Sequence, residues 1–183
     1  MKPKEHHYHA VQFYKDEGSL AATVAKFLDE GLQVGEPALV IATPQHTAVI
    51  AKYLQALGQN VSSLKGTREL HVFDARKIML AFMVNGMPDP LLFKSNVGNL
   101  LDRLSAVRQP CPVRAYGEMV DLLWQDGNSE AAIRLEILWN GLASDYDFAL
   151  MCGYAVGHFY KETEHDSGYQ SVCGLHSHVV TPA

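Results

Sequence analysis

The sequence lacks the residues that nucleotide-binding proteins usually place between a buried strand and the helix that follows it. The apolar run Ala38–Ala42 predicts such a strand, and periodic apolar residues from Val49 to Leu57 predict the helix. The junction Thr43-Pro-Gln-His46 contains neither glycine nor lysine. Phosphate sites need close backbone approach and usually a cation. We therefore expect a ligand less charged than a nucleotide.

Long apolar runs, excess positive charge and abundant cysteine are also absent. Because no run of about 18 apolar residues and no secretory signal is present, we expect a cytoplasmic protein that does not bind membrane. The net charge of −5 over 183 residues argues against a nucleic-acid surface. The three cysteines, an odd number, are expected to be reduced thiols.

Apolar runs alternate with segments of helical periodicity, which predicts an α/β fold with a mostly parallel central sheet flanked by helices. We expect a flexible N-terminal tail at 1–8 and one domain at 9–183. The predicted strands are His9–Tyr14, Ala38–Ala42, Leu70–Asp74, Val113–Met119 and Phe148–Tyr154. The predicted helices are Ser19–Glu30 (ended by Gly31), Gln45–Leu57, Ile78–Val84, Pro90–Val107 and Ser129–Leu142.

Polar residues at strand ends are the first candidates for a site, since ligands of open parallel sheets collect beyond the carboxyl ends of the strands. Glu118 is the sharpest of them, because a carboxylate there suits a general base, a metal ligand or a hydrogen-bond acceptor. The alternative is a structural ion pair with Arg114 or Arg134. The residues at the predicted strand ends are Tyr14, Asp74, Glu118 and Tyr154.

A second carboxylate, Glu136, lies in a predicted helix that is apolar nearly all round. A carboxylate in such a setting needs compensation. Among its neighbours at helical spacing only Asn140 can donate a hydrogen bond. The sequence therefore predicts a partner for Glu136 from another element of the fold.

The C-terminal run Cys173-Gly-Leu-His176-Ser-His178 combines thiol and imidazole groups, with Cys152 and His165 upstream. Such groups suit zinc, but structural zinc sites usually present paired ligands at both corners. The alternative is a buried thiol and a histidine in a helix or turn. We predict no cofactor and no assigned metal site. Zinc stays an alternative, with Cys173, His176 and His178 as its weak candidates.

Several short motifs, in order along the chain, resemble the MEDS domain, a sensory domain of methanogens and methylotrophs. The resemblance runs from about His9 to His178 and so covers nearly the whole chain. The motifs are His9-Ala-Val-Gln-Phe-Tyr14, Gly35-Glu-Pro-Ala-Leu-Val-Ile-Ala-Thr43 with His46, Tyr116-Gly-Glu-Met119, Leu135-Glu-Ile-Leu-Trp-Asn140, Cys152-Gly-Tyr154 and Cys173-x-x-His176.

The resemblance implies a fold related to the RecA and KaiC ATPase core without its phosphate loop. It also implies sensing of small molecules, with hydrocarbon derivatives as proposed ligands, and output through a histidine kinase or a transcriptional regulator. No kinase or helix-turn-helix segment follows the domain, so we expect output through a partner or through self-association. The ligand-binding candidates carried over by position are His9, Tyr14, Glu118, Glu136, Cys152, Tyr154, Cys173 and His176.

We therefore expect a stand-alone, non-catalytic sensor of a small organic molecule, with no catalytic residues. One alternative is a metal-assisted enzyme that uses Glu118 with Cys173 and His176. Another is a protein-interaction module that binds no ligand. The apolar-faced helix Pro90–Val107 is a candidate surface for a homo-oligomer, although covering the sheet is its more ordinary use.

Overall fold

The computed structural model describes residues 8–106, 111–159 and 167–180. Residues 1–7 of the predicted tail, Val107 at the end of a predicted helix, and His165 lie outside the described residues. Within the described ranges, no helix combines the length and the apolar character needed to cross a membrane.

Parallel strands form the central sheet. In chain order the strands are β1 His9–Tyr14, β2 Ala38–Ala42, β3 Leu70–Asp74, β4 Met83–Val84, β5 Met87–Pro88, β6 Val113–Gly117, β7 Phe148–Ala155 and β8 His178–Val180. Six of them make the described sheet in the order β3-β2-β6-β7-β1-β8, and every neighbouring pair is parallel. The short strands β4 and β5 form a separate antiparallel hairpin.

Helices cover both faces of this sheet, as the alternating pattern predicts. Helices α1 to α3 pack on one face, and α4 to α9 pack on the other. The helices are α1 Glu17–Gln33, α2 Pro44–Ala56, α3 Val61–Gly66, α4 Ala75–Leu80, α5 Pro90–Phe93, α6 Asn99–Ser105, α7 Met119–Gln125, α8 Ser129–Leu142 and α9 Ser167–Gly174, with a π-turn at Lys94–Gly98 and a 3₁₀ turn at Val156–His158.

Side chains alternate between the two faces along β1 and β7, and this alternation decides which residues can meet α8. Val11 and Phe13 of β1 lie in the core on the α8 side, whereas Tyr14 lies in the core on the α1 side. Cys152 and Tyr154 of β7 likewise face the α8 side. Two neighbouring strands therefore present their polar side chains to the same buried layer.

Several predicted elements are confirmed. The bounds of β1, β2, β3 and α8 agree with the sequence-based bounds residue for residue. The start of α2 is also as its residues indicate: Thr43 caps the helix by accepting the backbone N–H of His46 at 3.3 Å, and Pro44 occupies the first helical position. Local signals were sufficient for these elements.

The bounds of one predicted helix were wrong because a hairpin turn was not recognised. The helix predicted at Ile78–Val84 is instead α4, capped by Asp74, followed by a hairpin that turns at Asn85 and Gly86. Both turn residues have positive φ, and Asn-Gly is the strongest short hairpin signal.

Two further predicted elements also differ from the structure. The strand predicted to reach Met119 ends at Gly117, because the fully buried run that follows forms α7 and carries no strand-like alternation. The single helix predicted from Pro90 is interrupted by the π-turn. Three helices, α3, α7 and α9, and the strands β4, β5 and β8 were not predicted.

Gly31 does not end α1, which continues to Gln33. A Cβ at this position would overlap Cγ of Arg114, whose stem crosses the helix. This close approach lets the Arg114 guanidinium reach Glu36 at 2.5 Å and lie 5.0 Å from the ring centre of Phe27. The glycine is thus required by packing between α1 and β6.

We predict that Gly31→Ala lowers the free energy of unfolding by about 1–3 kcal/mol, because the added methyl group overpacks the Arg114 stem. The matched control is Gly141→Ala on α8, where an added Cβ meets no atom within 4 Å. The control should raise stability by up to about 1 kcal/mol through helix propensity. Urea unfolding measures both, and a neutral or stabilising Gly31→Ala would contradict the packing role.

Candidate functional site

Polar side chains meet at the carboxyl edge of the sheet, where β2, β6, β7 and β1 end side by side. In open parallel sheets this edge is the usual position of a ligand site. We name this group the edge cluster, and its members are Tyr14, His46, Glu118, Asp121 and His158.

Glu118 directly follows β6 and is 1% exposed. Its Oε1 accepts the backbone N–H of Thr43 at 2.6 Å. Its Oε2 accepts Nδ1–H of His46 at 2.6 Å and the hydroxyl of Tyr116 at 2.9 Å. Both carboxylate oxygens therefore have protein donors, and the carboxylate fixes the His46 ring at the start of α2.

Asp121, in the first turn of α7, forms the second centre of the edge cluster. Its Oδ1 accepts the backbone N–H of Ala155 at 3.0 Å and Nδ1–H of His158 at 2.9 Å. Its Oδ2 accepts the hydroxyl of Tyr14 at 3.0 Å. Asp121 thus joins the ends of β1 and β7 and orients a second histidine.

The two carboxylates are buried, and the two histidines are the members that reach solvent. The side chains of His46 and His158 are 15% and 25% exposed. The hydrogen bond that His46 donates to Glu118 raises the pKa of His46, although burial opposes the shift. Burial raises the pKa of Asp121, and burial together with Asp121 raises the pKa of the Tyr14 hydroxyl. Tyr14 therefore stays a hydrogen-bond donor.

A second polar group, which we name the buried cluster, lies between the sheet and α8. Three members come from the sheet, one comes from α8, and one lies two residues beyond α9. Every member except His176 is at most 1% exposed, and the side chain of His176 is fully buried. The members are His9, Glu136, Cys152, Tyr154 and His176.

Glu136 is the centre of the buried cluster. Its Oε1 accepts the hydroxyl of Tyr154 at 2.9 Å and lies 3.4 Å from Nε2 of His176. Its Oε2 lies 3.2 Å from Nε2 of His9 and accepts the thiol of Cys152 at 3.4 Å. The carboxylate thus finds its partners on other elements, as its apolar helix predicts.

In both histidines of the buried cluster, Nδ1 donates a hydrogen bond on the side of the ring that faces away from Glu136. Asn140 donates its amide to the carbonyl of Leu175 at 2.9 Å, so its oxygen faces Nδ1 of His9, also at 2.9 Å. Nδ1 of His176 lies 2.6 Å from the carbonyl of Val172. Because these oxygens can only accept, each Nδ1 carries a hydrogen, and each Nε2 points at Glu136.

The charges in the buried cluster depend on one another. Burial alone would raise the pKa of Glu136, but His176 and His9 outweigh burial and lower it far below the usual range. Burial opposes protonation of His176, yet Glu136 raises its pKa. Burial and the neighbouring carboxylate raise the pKa of the Cys152 thiol. These shifts favour an ionised Glu136 and a protonated Cys152 thiol, and Glu136 makes His176 easier to protonate than an ordinary imidazole.

Four members of the buried cluster offer metal-ligating atoms that lie within 4.8 Å of one another. They are two imidazoles, one carboxylate and one thiol, which suit a divalent transition metal. The fifth member, Tyr154, is not among these four ligands and instead donates its hydroxyl to Glu136.

Gly153 is required by packing on the other face of β7. Side chains alternate along the strand, so Cys152 and Tyr154 face α8 and Gly153 faces the helices on the opposite side of the sheet. There the hydroxyl of Tyr116 lies 2.7 Å from where a Cβ would stand. The same hydroxyl donates to Glu118 of the edge cluster. A side chain at position 153 would therefore displace a contact of the edge cluster.

All predicted ligand-binding residues except Cys173 lie in one of the two clusters. Tyr14 and Glu118 are in the edge cluster. Cys173 is partly buried and packs against the apolar core. The residues brought together in the buried cluster are His9, Glu136, Cys152, Tyr154 and His176.

Other candidates lie elsewhere. Of the weak metal candidates only His176 joins the buried cluster, since His178 is exposed and stacks on Tyr8 at 4.6 Å. Asp74 caps α4. Glu118 and His176 lie in different clusters, so the combination that the enzyme alternative requires is not assembled.

Sequence reasoning missed His46, Asp121 and His158 as site residues. His46 had a signal, because it lies in the strand–helix junction that was already singled out. Asp121 was hidden when the buried run after Gly117 was not recognised as a helix. Asn140 was noted only as a neighbour of Glu136, whereas it binds His9.

A comparison with protein-family models matches residues 8–167 to MEDS, described as the methanogen/methylotroph, DcmR sensory domain. The matched span includes the whole edge cluster. It also includes every member of the buried cluster except His176, which lies beyond it. A comparison with curated proteins gives no match.

We predict that His46 titrates above the ordinary histidine pKa of about 6.5 and that Glu118→Gln moves its pKa downward. Because the folded pKa is raised, the pair stabilises the fold fully below about pH 6.5, and this stabilisation is lost as pH rises through the folded pKa. NMR titration measures the pKa of His46, and the His46 resonance is assigned by its disappearance in His46→Gln.

Glu17→Gln is the control for that titration. Glu17 also raises the pKa of His46, but from 3.9 Å and without a hydrogen bond, so its removal should have the smaller effect. An unchanged His46 pKa in Glu118→Gln would contradict the assigned pairing.

Proposed function

The chain belongs to the MEDS family of sensory domains, and from that premise we propose that it senses a small organic molecule bound at the edge cluster. The observation that carries the proposal is the convergence of two buried carboxylates, each holding a partly exposed histidine, at the ends of adjacent strands. Binding there would act on the loops that join four strands to their helices.

The chemistry of the edge favours a neutral or cationic ligand. At the start of α2, the backbone N–H of Thr43 is occupied by the carboxylate of Glu118 at 2.6 Å. In a phosphate site such an N–H faces the anion. A carboxylate in that place repels phosphate, and Asp121 and Glu17 add negative charge nearby. These negative charges support a ligand other than a nucleotide.

We propose binding without turnover, with the two histidines rather than the two carboxylates offered to the ligand. A carboxylate that acts as a general base must direct a free lone pair at its substrate. Both oxygens of Glu118 and both oxygens of Asp121 already accept hydrogen bonds from protein donors. These carboxylates position His46 and His158, whose rings reach solvent and offer hydrogen bonds to a ligand.

The family description names methanogens and methylotrophs, and a sensory role supports a small organic ligand. We propose a small derivative of a hydrocarbon as that ligand. Output would pass to a histidine kinase or a transcriptional regulator, in keeping with a sensory family.

We predict that methanol, methylamine or dichloromethane raises the melting temperature of the protein, whereas ATP does not. A ligand present at 100 times its Kd stabilises the folded state by about 2.7 kcal/mol. Thermal-shift measurements with each compound test this directly. Stabilisation by ATP, or by none of the three small compounds, would contradict the proposed ligand class.

Variants locate the site. His46→Gln and His158→Gln should each reduce the ligand-induced shift, because each removes an imidazole that faces solvent at the edge. His71→Gln is the matched control, since this partly exposed histidine on β3 contacts the carbonyl of Arg68 and lies outside the edge cluster. A full ligand-induced shift in both edge variants would place the binding site elsewhere.

A further inference from the structure

We propose that His9, Glu136, Cys152 and His176 bind one divalent transition-metal ion, for which Zn²⁺ is the probe. The four donors come from β1, α8, β7 and the segment after α9, so the ion would join the C-terminal segment to the sheet. This site is separate from the edge cluster and does not depend on what binds there.

The distances between the donor atoms already approach those of a tetrahedral site. Bonds of about 2.1 Å from a central zinc ion separate neighbouring ligand atoms by roughly 3.4 Å. Nε2 of His9 lies 3.4 Å from Sγ of Cys152 and 3.2 Å from Oε2 of Glu136, and Sγ lies 3.4 Å from that oxygen. His176 Nε2 stands 3.4 Å from the other carboxylate oxygen. Small side-chain shifts would accommodate the ion.

The contacts behind the histidines are those that metal ligands require. A ligating histidine usually donates its second ring N–H to a carbonyl or carboxylate, which fixes the tautomer. His9 does so to Asn140, and His176 does so to the carbonyl of Val172. The neutral form of each ring then directs the lone pair of Nε2 into the cluster.

His176 supplies a second observation. Its side chain is fully buried, and its Nε2 makes no hydrogen bond of acceptable geometry within the described structure. Buried polar atoms are normally hydrogen-bonded. Nε2 faces the Glu136 carboxylate from 3.4 Å without a well-formed hydrogen bond, which leaves it available to an ion bound between them.

Charge balance also favours a dication. When Zn²⁺ binds, the Cys152 thiol loses its proton to solvent, and any second proton on His176 is released as well. One thiolate and one carboxylate then neutralise the ion, and both imidazoles are uncharged. The occupied site has no net charge, which suits its burial.

Occupancy would stabilise the C-terminal segment on the core. That segment already contacts β1, because Ser177 donates its backbone N–H to the carbonyl of His9 at 2.8 Å. His9 in turn donates its own backbone N–H to the Ser177 hydroxyl at 2.9 Å. A metal bond from the adjacent His176 would reinforce this contact.

The test uses the whole chain without a histidine tag, stripped of metal by a chelator and then dialysed. After one equivalent of Zn²⁺ is added and unbound metal is removed, elemental analysis should find one zinc per chain. Added Co²⁺ should give a thiolate-to-cobalt charge-transfer band. Folded wild-type protein that retains no metal would overturn the proposal, whatever metal content the variants show.

Cys152→Ser and His176→Gln should each weaken Zn²⁺ binding at least tenfold, and Cys152→Ser should abolish the charge-transfer band. Cys173→Ser is the matched control, because its thiol lies three residues from His176 but outside the donor set. It should bind Zn²⁺ as the wild type does. A band that survives in Cys152→Ser and is lost in Cys173→Ser would overturn the assignment.

Discussion

The burial of the Glu136 carboxylate is the constraint on which much of this structure depends. Its side chain extends from α8 and is fully buried against the sheet, and an ion in that setting must be compensated by charge and hydrogen bonds. Two histidines, a tyrosine and a cysteine meet that demand from β1, β7 and the segment after α9. The pairing of β1 with β8 and the packing of α9 hold those partners in place. Residues that are far apart in the sequence therefore contact one carboxylate.

The two clusters divide the polar side chains by position. The histidine side chains of the edge cluster are partly exposed to solvent, whereas the side chains of the buried cluster are at most 1% exposed. They are connected through β7, where Cys152 and Tyr154 face Glu136, and Ala155 donates its backbone N–H to Asp121. Gly153 adds a second connection by admitting Tyr116. The two clusters are therefore joined by a few residues of one strand.

Local signals predicted much of the fold, although the hairpin signal at Asn85 and Gly86 was overlooked, and they did not show which distant residues meet. Buried apolar runs gave β1, β2 and β3, and helical periodicity gave the bounds of α8. The need of Glu136 for a partner was readable from its apolar helix, but which of nine histidines would meet it was not. His9 and His176 are brought together by the pairing of β1 with β8, which no local pattern encodes. The edge cluster was only half foreseen, since the neighbours β2, β6, β7 and β1 are far apart in sequence.

The most direct test of the metal site is anomalous diffraction from crystals grown with Zn²⁺, measured on both sides of the zinc absorption edge. We expect one buried peak within bonding distance of His9 Nε2, Glu136, Cys152 Sγ and His176 Nε2. This expectation would be contradicted by a map with no peak there, in which the four side chains contact only one another. In that case Glu136 would be compensated by hydrogen bonds and a protonated histidine alone.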